Sequence, residues 1–210
     1  MFLVSALVGY VLGSLPVALI IGKLFRGVDV RDSGSGKTGA TNVLRTLGWK
    51  FAIPIIVWDI GKGILAVLIS RALTDSNLSD ALAASGALIG HVWPITSGFR
   101  GGRGVMTGLG TVYVISPITA IPGTIFTLTI IATTRYVSLG SILGSVSQIV
   151  GASIAWWMGK LPAEYAIFVI AASTFIILIH RDNIERLIQG KERKIGEKAL
   201  PLKTPAGKST

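Results

Sequence analysis

Residues 32–45 read DSGSGKTGATNVLR and separate two apolar runs that are each long enough to cross a membrane. Three glycines in this segment, Gly34, Gly36 and Gly39, allow the backbone to turn several N–H groups toward one point. Hydroxyl, cationic and amide side chains stand among them, namely Ser33, Ser35, Lys37, Thr38, Thr41, Asn42 and Arg45. Backbone donors combined with positive charge are typical of an anion site, and a phosphate group fits them best.

Two other interpretations of this segment are less favoured. Gly36-Lys37-Thr38 reproduces the end of the nucleotide-binding P-loop pattern. That pattern requires a glycine where Arg31 stands, and it follows a buried strand rather than a membrane-length apolar run. A loop that is merely polar and flexible is the second alternative. Two similar segments further along the chain favour a binding site.

The composition indicates a membrane protein. Half of the 210 residues are hydrophobic, only 14% are charged, and the mean hydropathy is +0.67. These values exclude an ordinary soluble domain and predict an all-α, polytopic integral membrane protein. Because the chain has no cysteine, disulfides and thiolate metal sites are excluded. No basic segment precedes the first apolar run, so we do not expect a cleaved signal peptide.

The apolar runs predict seven transmembrane helices. They are Phe2–Gly22, Phe51–Ser70, Ala81–Ile95, two passes within 104–134, Tyr136–Gly159 and Leu161–Ile179. A single helix over the uncharged segment 104–134 would be about 46 Å long, so we expect two passes joined near 116–123, where two prolines stand. Glycines four residues apart predict close helix contacts; these pairs are Gly9 with Gly13 and Gly86 with Gly90.

Two further polar segments follow the pattern of residues 32–45. Residues 90–110 contain RGGR, in which Arg100 and Arg103 flank two glycines and can bind phosphate oxygens through paired N–H groups. His91, in the same segment, is expected to cap the span or to bond a neighbouring carbonyl group. Residues 180–194 read HRDNIERLIQGKERK and begin where the last span ends. We refer to 32–45, 90–110 and 180–194 as the three polar loops.

Basic residues predict the orientation of the chain. All lysines and arginines except Lys62, Arg71 and Lys160 fall on the side of the three polar loops. By the positive-inside rule this side is the cytoplasm, with the N-terminus outside and the C-terminus inside. Asp59 and Lys62 lie three residues apart within the second span, and an unpaired charge there costs about 2.5–3.5 kcal/mol or more. We therefore expect these two side chains to pair or to face a wet interior.

The predicted organisation is one seven-helix membrane domain, residues 1–198, followed by a flexible basic tail at 199–210. The three polar loops meet at its cytoplasmic face. They contain few carboxylates, no cysteine and two histidines far apart in sequence, so no metal site is expected. The sequence predicts a metal-free, phosphate-handling pocket at a membrane surface.

The three polar loops resemble the motifs of a known enzyme family. The matching patterns are Ser35-Gly36-x-x-Gly39-Ala40-Thr41-Asn42-x-x-Arg45, Gly90-His91-x-x-Pro94 with Gly101-Gly102-Arg103-Gly104, and His180-Arg181-x-Asn183 through Glu192-x-Lys194. They resemble the bacterial acyl-phosphate:glycerol-3-phosphate acyltransferases, the PlsY family, over almost the whole chain. The sequence departs from the family pattern at Lys37, which is usually asparagine, at Arg100 and Arg103, usually lysines, and at Thr96, usually phenylalanine.

The resemblance implies transfer of a fatty acyl group from acyl phosphate to the 1-hydroxyl of glycerol 3-phosphate. The products are lysophosphatidic acid and phosphate, and the reaction starts phospholipid biosynthesis in the bacterial cytoplasmic (inner) membrane. It needs no cofactor and no metal. The implied partners are the two substrates and the lipid bilayer, with no nucleic acid; the oligomeric state is left open, a monomer included.

Roles for the motif residues are hypotheses at this point. Ser35, Gly36, Gly39 and Thr41 cradle the acyl-phosphate head, whereas Arg45, Arg103 and Ser141 hold glycerol 3-phosphate. Gly101 and Gly102 are also expected to bind substrate. Asn42 or Asn183 stabilises the oxyanion. His180 orients or deprotonates the attacking hydroxyl, unless the leaving phosphate accepts that proton. A covalent role for Ser35 is the less favoured alternative.

Two other functions are weighed against this hypothesis. Acyltransferases that use a soluble acyl carrier contain His-x-x-x-x-Asp, but Glu185 follows His180 at that spacing and Thr96 follows His91. A membrane transporter for a phosphorylated anion would show an internal repeat and broken helices that meet near the bilayer midplane. The sequence shows no convincing repeat and concentrates its polar residues at one face.

Overall fold

The computed structural model describes residues 1–197, which form ten α-helices and no β-strand. The helices are α1 Phe2–Gly13, α2 Val17–Arg26, α3 Ala40–Leu47, α4 Trp49–Leu73, α5 Asn77–Val92, α6 Val105–Ile115, α7 Pro117–Thr134, α8 Val137–Trp157, α9 Ala163–Ile179 and α10 Arg181–Ile188. This architecture confirms the all-α prediction. The predicted tail at 199–210 lies outside the described residues.

Four apolar helical stretches are long enough to cross a membrane: α1 with α2, α4, α7 and α8. The pair α9 and α10, bent by 55°, is a fifth candidate. These stretches make the chain a multi-pass membrane protein. Helices α5 and α6, with 16 and 11 residues, are shorter than a full upright crossing.

Prolines divide two of the apolar runs. The first apolar run is not one helix but α1 and α2, because Pro16 lacks an N–H and disfavours helical geometry in the preceding residue. The long segment 104–134 is two helices, as predicted, and the break falls at Ser116. Pro117 begins α7, a position at which a missing N–H costs nothing. Pro122, expected near the join, lies within α7 instead.

Glycines bring α1 and α5 into backbone contact. A methyl group added at Gly9 or Gly13 would overlap the carbonyl oxygen of Ala83 or Ala87 on α5. On the other side of the interface, a methyl group at Gly86 or Gly90 would overlap carbonyl oxygens of Ala6 and Tyr10 on α1. The predicted role of both glycine pairs is confirmed, and the two pairs face each other.

A polar clamp closes the end of the bundle opposite the three polar loops. Asp80 on α5 accepts a hydrogen bond from Arg71 Nε of α4 at 2.7 Å and another from Tyr165 Oη of α9 at 2.8 Å. Arg71 also donates to the Val114 carbonyl of α6 at 3.1 Å. Three helices are therefore tied at a single carboxylate, and Arg71 links the fourth, α6, to them. An apolar core lies above the clamp between α5, α6, α8 and α9.

We predict that Gly86→Ala destabilises the protein, because the added methyl group must push α1 away from α5. Overpacking of this kind costs about 1–3 kcal/mol. Thermal unfolding in detergent micelles measures the change.

Gly61→Ala on α4 is the matched control. It adds the same methyl group where no other atom lies within 4 Å, so the midpoint of unfolding should stay or rise. Equal midpoints for Gly86→Ala and the wild type would contradict the glycine contact.

Candidate active site

The first polar loop is held in shape by Asn42, a buried residue of α3. Its amide nitrogen donates to the carbonyl groups of Val30, Ser33 and Lys37 at 2.7, 3.2 and 2.9 Å. Its amide oxygen accepts the Ser35 backbone N–H at 2.9 Å. Since both ends of the amide are engaged, Asn42 has no N–H left for an oxyanion. We therefore correct its predicted role from substrate contact to support of the loop.

The second polar loop is packed tightly against the end of α5. The N–H groups of Gly101 and Gly102 donate to the carbonyl groups of Val92 and His91, each at 3.2 Å. A Cβ at either glycine would overlap His91 atoms. These N–H groups therefore point away from any ligand. The glycines, predicted to bind substrate, instead allow close packing, which aims the next residue, Arg103, at the cavity.

Most of the predicted site residues line one cavity of about 710 Å³, part of which is open to solvent. They are Ser35, Gly39, Thr41, Asn42, Arg45, Arg103, Ser141, His180 and Asn183. Three predicted residues, Gly36, Gly101 and Gly102, do not reach its wall. The three polar loops therefore converge, as the sequence predicted.

Two guanidinium groups of this cavity have no carboxylate partner among residues 1–197. Arg45 donates only to the carbonyl of Arg193, at 2.9 Å, and its buried Nε has no partner. Arg103 makes no side-chain hydrogen bond to any described residue, and its Nε is also buried. Burial lowers the pKa of both groups, although an arginine stays charged at neutral pH. The cavity thus carries positive charge that an anion would balance.

Glu192 organises the third polar loop. It accepts hydrogen bonds from Asn183 Nδ2 at 2.9 Å, Ser138 Oγ at 3.0 Å and Arg186 Nε at 2.7 Å. One of the two N–H groups of the Asn183 amide is therefore occupied, whereas its buried Oδ1 has no partner among the described residues. The oxygen can accept a hydrogen bond from a hydroxyl group, and the second N–H can still donate, as the predicted oxyanion role requires. Sequence reasoning missed Ser138 and Glu192, since only folding brings these two residues together.

His180 lies one residue beyond the end of α9 and is buried. Its Nδ1 is 2.7 Å from the Ile176 carbonyl oxygen, and a carbonyl only accepts, so the ring proton is on Nδ1. Burial, reinforced by the charge of Arg103, lowers the pKa of His180 to about 4. The neutral ring offers the lone pair of Nε2 as an acceptor.

A buried charged pair lies beneath the second loop. Lys62 Nζ and Asp59 Oδ1 are 2.7 Å apart, which confirms the predicted pairing. Lys62 Nζ is also 2.8 Å from His91 Nδ1. The expectation that the His91 ring bonds a carbonyl group is wrong, because the ring is turned toward α4.

An apolar groove of about 770 Å³ adjoins the polar cavity, between α6, α7, α8 and α9. It is lined mainly by aliphatic side chains, among them Leu109, Val112, Leu128, Ile131 and Ile176. Val105, Met106, Val137 and Ser141 line both spaces. A molecule with a charged head and an apolar tail can therefore occupy both at once.

A sequence profile described as glycerol-3-phosphate acyltransferase matches residues 3–190. The chain belongs to this family. It is 40% identical over 194 residues to a glycerol-3-phosphate acyltransferase of Thermoanaerobacter sp. (strain X514), covering 92% of this chain and 96% of the relative. A relative of that name from Synechococcus elongatus is 40% identical over 201 residues, with coverage of 92% and 94%.

Two solved structures of the same family are similar to this fold. Both are crystal structures of PlsY (YgiH), an integral membrane glycerol 3-phosphate acyltransferase, one in a glycerol 3-phosphate form and one in a lysophosphatidic acid form. Their TM-scores are 0.84 and 0.81, and each is 36% identical. The alignments cover 93% of this chain and 96% and 95% of the acyltransferase chains.

We predict that Asn42→Ala loosens the first loop without unfolding the protein. The Ser35 amide loses its acceptor, and one hydrogen bond is worth about 1 kcal/mol, so its exchange with deuterium should accelerate several-fold to about tenfold. Hydrogen exchange read by mass spectrometry of peptides from residues 33–37 measures this.

Thr46→Val on the same helix is the control, because the Thr46 hydroxyl bonds only carbonyl groups of α3. Exchange in this variant should match that of the wild type. Unchanged protection of residues 33–37 in Asn42→Ala would show that Asn42 does not hold the loop.

Proposed function

We propose that this acyltransferase moves a fatty acyl group from acyl phosphate to the 1-hydroxyl of glycerol 3-phosphate, giving lysophosphatidic acid and phosphate. One observation carries the proposal: a cavity with two guanidinium groups that have no carboxylate partner among residues 1–197 opens into an apolar groove. An acyl phosphate has an anionic head and a lipid tail, and glycerol 3-phosphate is a second anion. Both substrates thus find complementary surfaces in the two joined spaces.

The donor binds along the first loop and the groove. Gly39, Ala40 and Thr41 line the cavity at the start of α3, where N–H groups have no intrahelical acceptor and bind anions. Ser35 and Lys37 stand beside them. These groups hold the acyl-phosphate head, its carbonyl oxygen included, while the tail occupies the groove. An acyl phosphate is already an activated anhydride, so no metal is required.

The acceptor binds against the second and third loops. Arg103 and Arg45 hold the phosphate of glycerol 3-phosphate through guanidinium N–H groups. Ser141 lines the cavity on α8, where its hydroxyl donates to the Val137 carbonyl at 2.9 Å and keeps acceptor capacity for a substrate hydroxyl. Asn183 Oδ1 and His180 Nε2 are two more acceptors that can align the 1-hydroxyl for attack.

In the reaction, the 1-hydroxyl oxygen attacks the acyl carbonyl carbon, and the bond from that carbon to the phosphate oxygen breaks. The electron pair of the broken bond leaves with the phosphate. With a pKa of about 4, His180 is a weaker base than a phosphate group, whose second pKa is about 6. His180 therefore orients the hydroxyl, and the departing phosphate accepts the hydroxyl proton. No histidine bonds Ser35 among the described residues, which favours direct transfer over an acylated serine.

The membrane arrangement is part of the proposal. Seven apolar elements, α1 with α2 and then α4 to α9, support seven crossings in which α5 and α6 are short. The basic residues at the three polar loops support a cytoplasmic active site, an outside N-terminus and an inside C-terminus. The enzyme then acts at the inner leaflet of the bacterial cytoplasmic membrane.

Purified protein in detergent should release phosphate from palmitoyl phosphate only when glycerol 3-phosphate is present.

We predict that Arg103→Met raises the KM for glycerol 3-phosphate at least about tenfold, since charged hydrogen bonds worth about 1.5–3 kcal/mol are lost.

Arg100→Met removes the same charge from the same loop at an exposed position and should leave this KM unchanged. Anion flux into liposomes without chemical turnover would refute the acyltransferase and support a transporter. An equal effect of the two variants would remove Arg103 from the acceptor site.

We predict that His180→Ala lowers kcat about a hundredfold, because the attacking hydroxyl loses its orienting acceptor. Steady-state rates with both substrates saturating measure the loss. Ile188→Ala, at an exposed position of the neighbouring α10, serves as the control. Retained turnover in His180→Ala, or an acyl group trapped on Ser35 by mass spectrometry, would overturn this mechanism.

A further inference from the structure

His91 holds a position that the proposed mechanism does not use. It lies in the last turn of α5, is 6% exposed, and lines the polar cavity beside Arg103 and Gly104. Its Nδ1 is 2.8 Å from Lys62 Nζ, which in turn is 2.7 Å from Asp59 Oδ1. Three ionisable side chains from two helices thus form one buried cluster beneath the second loop.

The contacts of Nδ1 favour one tautomer of His91. Nδ1 lies 2.8 Å from Lys62 Nζ and 3.5 Å from Asp59 Oδ1. The contact with the ammonium group is the shorter one, and an ammonium group only donates, so Nδ1 is assigned as the acceptor and the ring proton as lying on Nε2. Asp59 balances the charge of Lys62, and the cluster is neutral when the ring is neutral. The tautomer is opposite to that of His180, whose Nδ1 donates to a carbonyl. One histidine therefore offers a donor to the cavity, and the other offers an acceptor.

The Nε2 edge of the His91 ring packs against the second loop. A Cβ on Gly102 would overlap Nε2, so this edge of the ring fills the space that a side chain at 102 would take. No described residue accepts a hydrogen bond from Nε2. Beside the ring, the N–H of Thr38 donates to the Gly101 carbonyl at 3.5 Å, which joins the second loop to the first loop and its phosphate cradle.

We propose that His91 is a further catalytic residue, whose Nε2–H donates a hydrogen bond to a phosphoryl oxygen of the acyl-phosphate head. This rests on the proposed function. Negative charge grows on that phosphate as the carbon–oxygen bond breaks, so the hydrogen bond strengthens in the transition state. The ring keeps its proton throughout, and phosphate leaves with the bonding electron pair. Lys62 and Asp59 are positioning residues that hold the tautomer.

His91 adds a neutral side-chain donor to the groups of the first loop that face the acyl-phosphate head. The amide N–H groups of Asn42 are occupied by protein acceptors, one N–H of Asn183 is bonded to Glu192, and the N–H groups of Gly101 and Gly102 turn toward α5. A neutral donor also suits a leaving group. It stabilises the developing charge without adding another cation that would hold the released phosphate in the site.

Nitrogen-15 NMR of the histidine rings tests the tautomers in the unmodified protein. The chain has two histidines, so His180→Ala assigns the signals. We expect the proton on Nε2 in His91 and on Nδ1 in His180, and titration with inorganic phosphate should shift the His91 Nε2 signal. A proton on Nδ1 of His91, a doubly protonated ring, or no response to phosphate would overturn the proposal.

Two amide variants then separate the two ring atoms of His91. In His91→Gln the amide nitrogen takes the place of Nε2 and keeps the donor, whereas in His91→Asn the amide oxygen takes the place of Nδ1 and keeps only the Lys62 contact. We expect His91→Asn to bind inorganic phosphate about tenfold more weakly in calorimetry and to lose kcat. His91→Gln should stay within about threefold of the wild type.

The outcomes distinguish this inference from the proposed function. Phosphate binding is measured without turnover, so it reports on His91 even if no acyl transfer occurs. Suppose that turnover depends on glycerol 3-phosphate but that His91→Asn binds phosphate as tightly as the wild type. The role of His91 would then be wrong, and the proposed function would stand. If both variants fail to fold, the nitrogen-15 signals of the wild-type rings still test the tautomer of His91 and its response to phosphate.

Discussion

The constraint on which this structure depends is charge that is buried without a hydrogen-bonded counter-charge among residues 1–197. Arg45 and Arg103 face one cavity, and Glu192, whose charge acts on both, is already engaged by three donors. Leaving guanidinium groups desolvated costs free energy, which the packing elsewhere must supply. The glycine contact of α1 with α5 and the carboxylate clamp at the far end supply part of it. The site is thereby ready for an anion before one arrives.

The sequence predicted which residues meet better than it predicted what each one does. Composition alone predicts which residues belong to the three polar loops. Glycines, hydroxyl groups and cations are concentrated in three segments that are predicted to lie on one side of the membrane. The glycine pairs and the Asp59–Lys62 pair were also predictable, since helical spacing alone puts their members on one face. These are local properties, and the structure bears them out.

Hydrogen-bond direction was not predictable, because it depends on partners that are distant in sequence. Asn42 appeared free to bind substrate until the carbonyl groups of residues 30–37 were found around its amide. The N–H groups of Gly101 and Gly102 turn toward α5 for a similar reason. The contact of Glu192 with Ser138 forms only because the chain after α10 folds back onto α8. The spacing of the motif residues does not predict this fold-back. Donors and acceptors are assigned by tertiary structure.

The apolar groove has a kinetic consequence. It is bordered by Leu128 of α7, which is 58% exposed on the outer surface of the bundle, so the groove is accessible from the flank of the protein. A tail can slide in sideways from the leaflet, which avoids about 0.8 kcal/mol for each CH₂ drawn into water. The enzyme then meets its lipid substrate by diffusion in the plane of the membrane. Diluting the donor with inert lipid lowers its surface concentration and slows these encounters, whereas diluting the whole suspension with buffer does not.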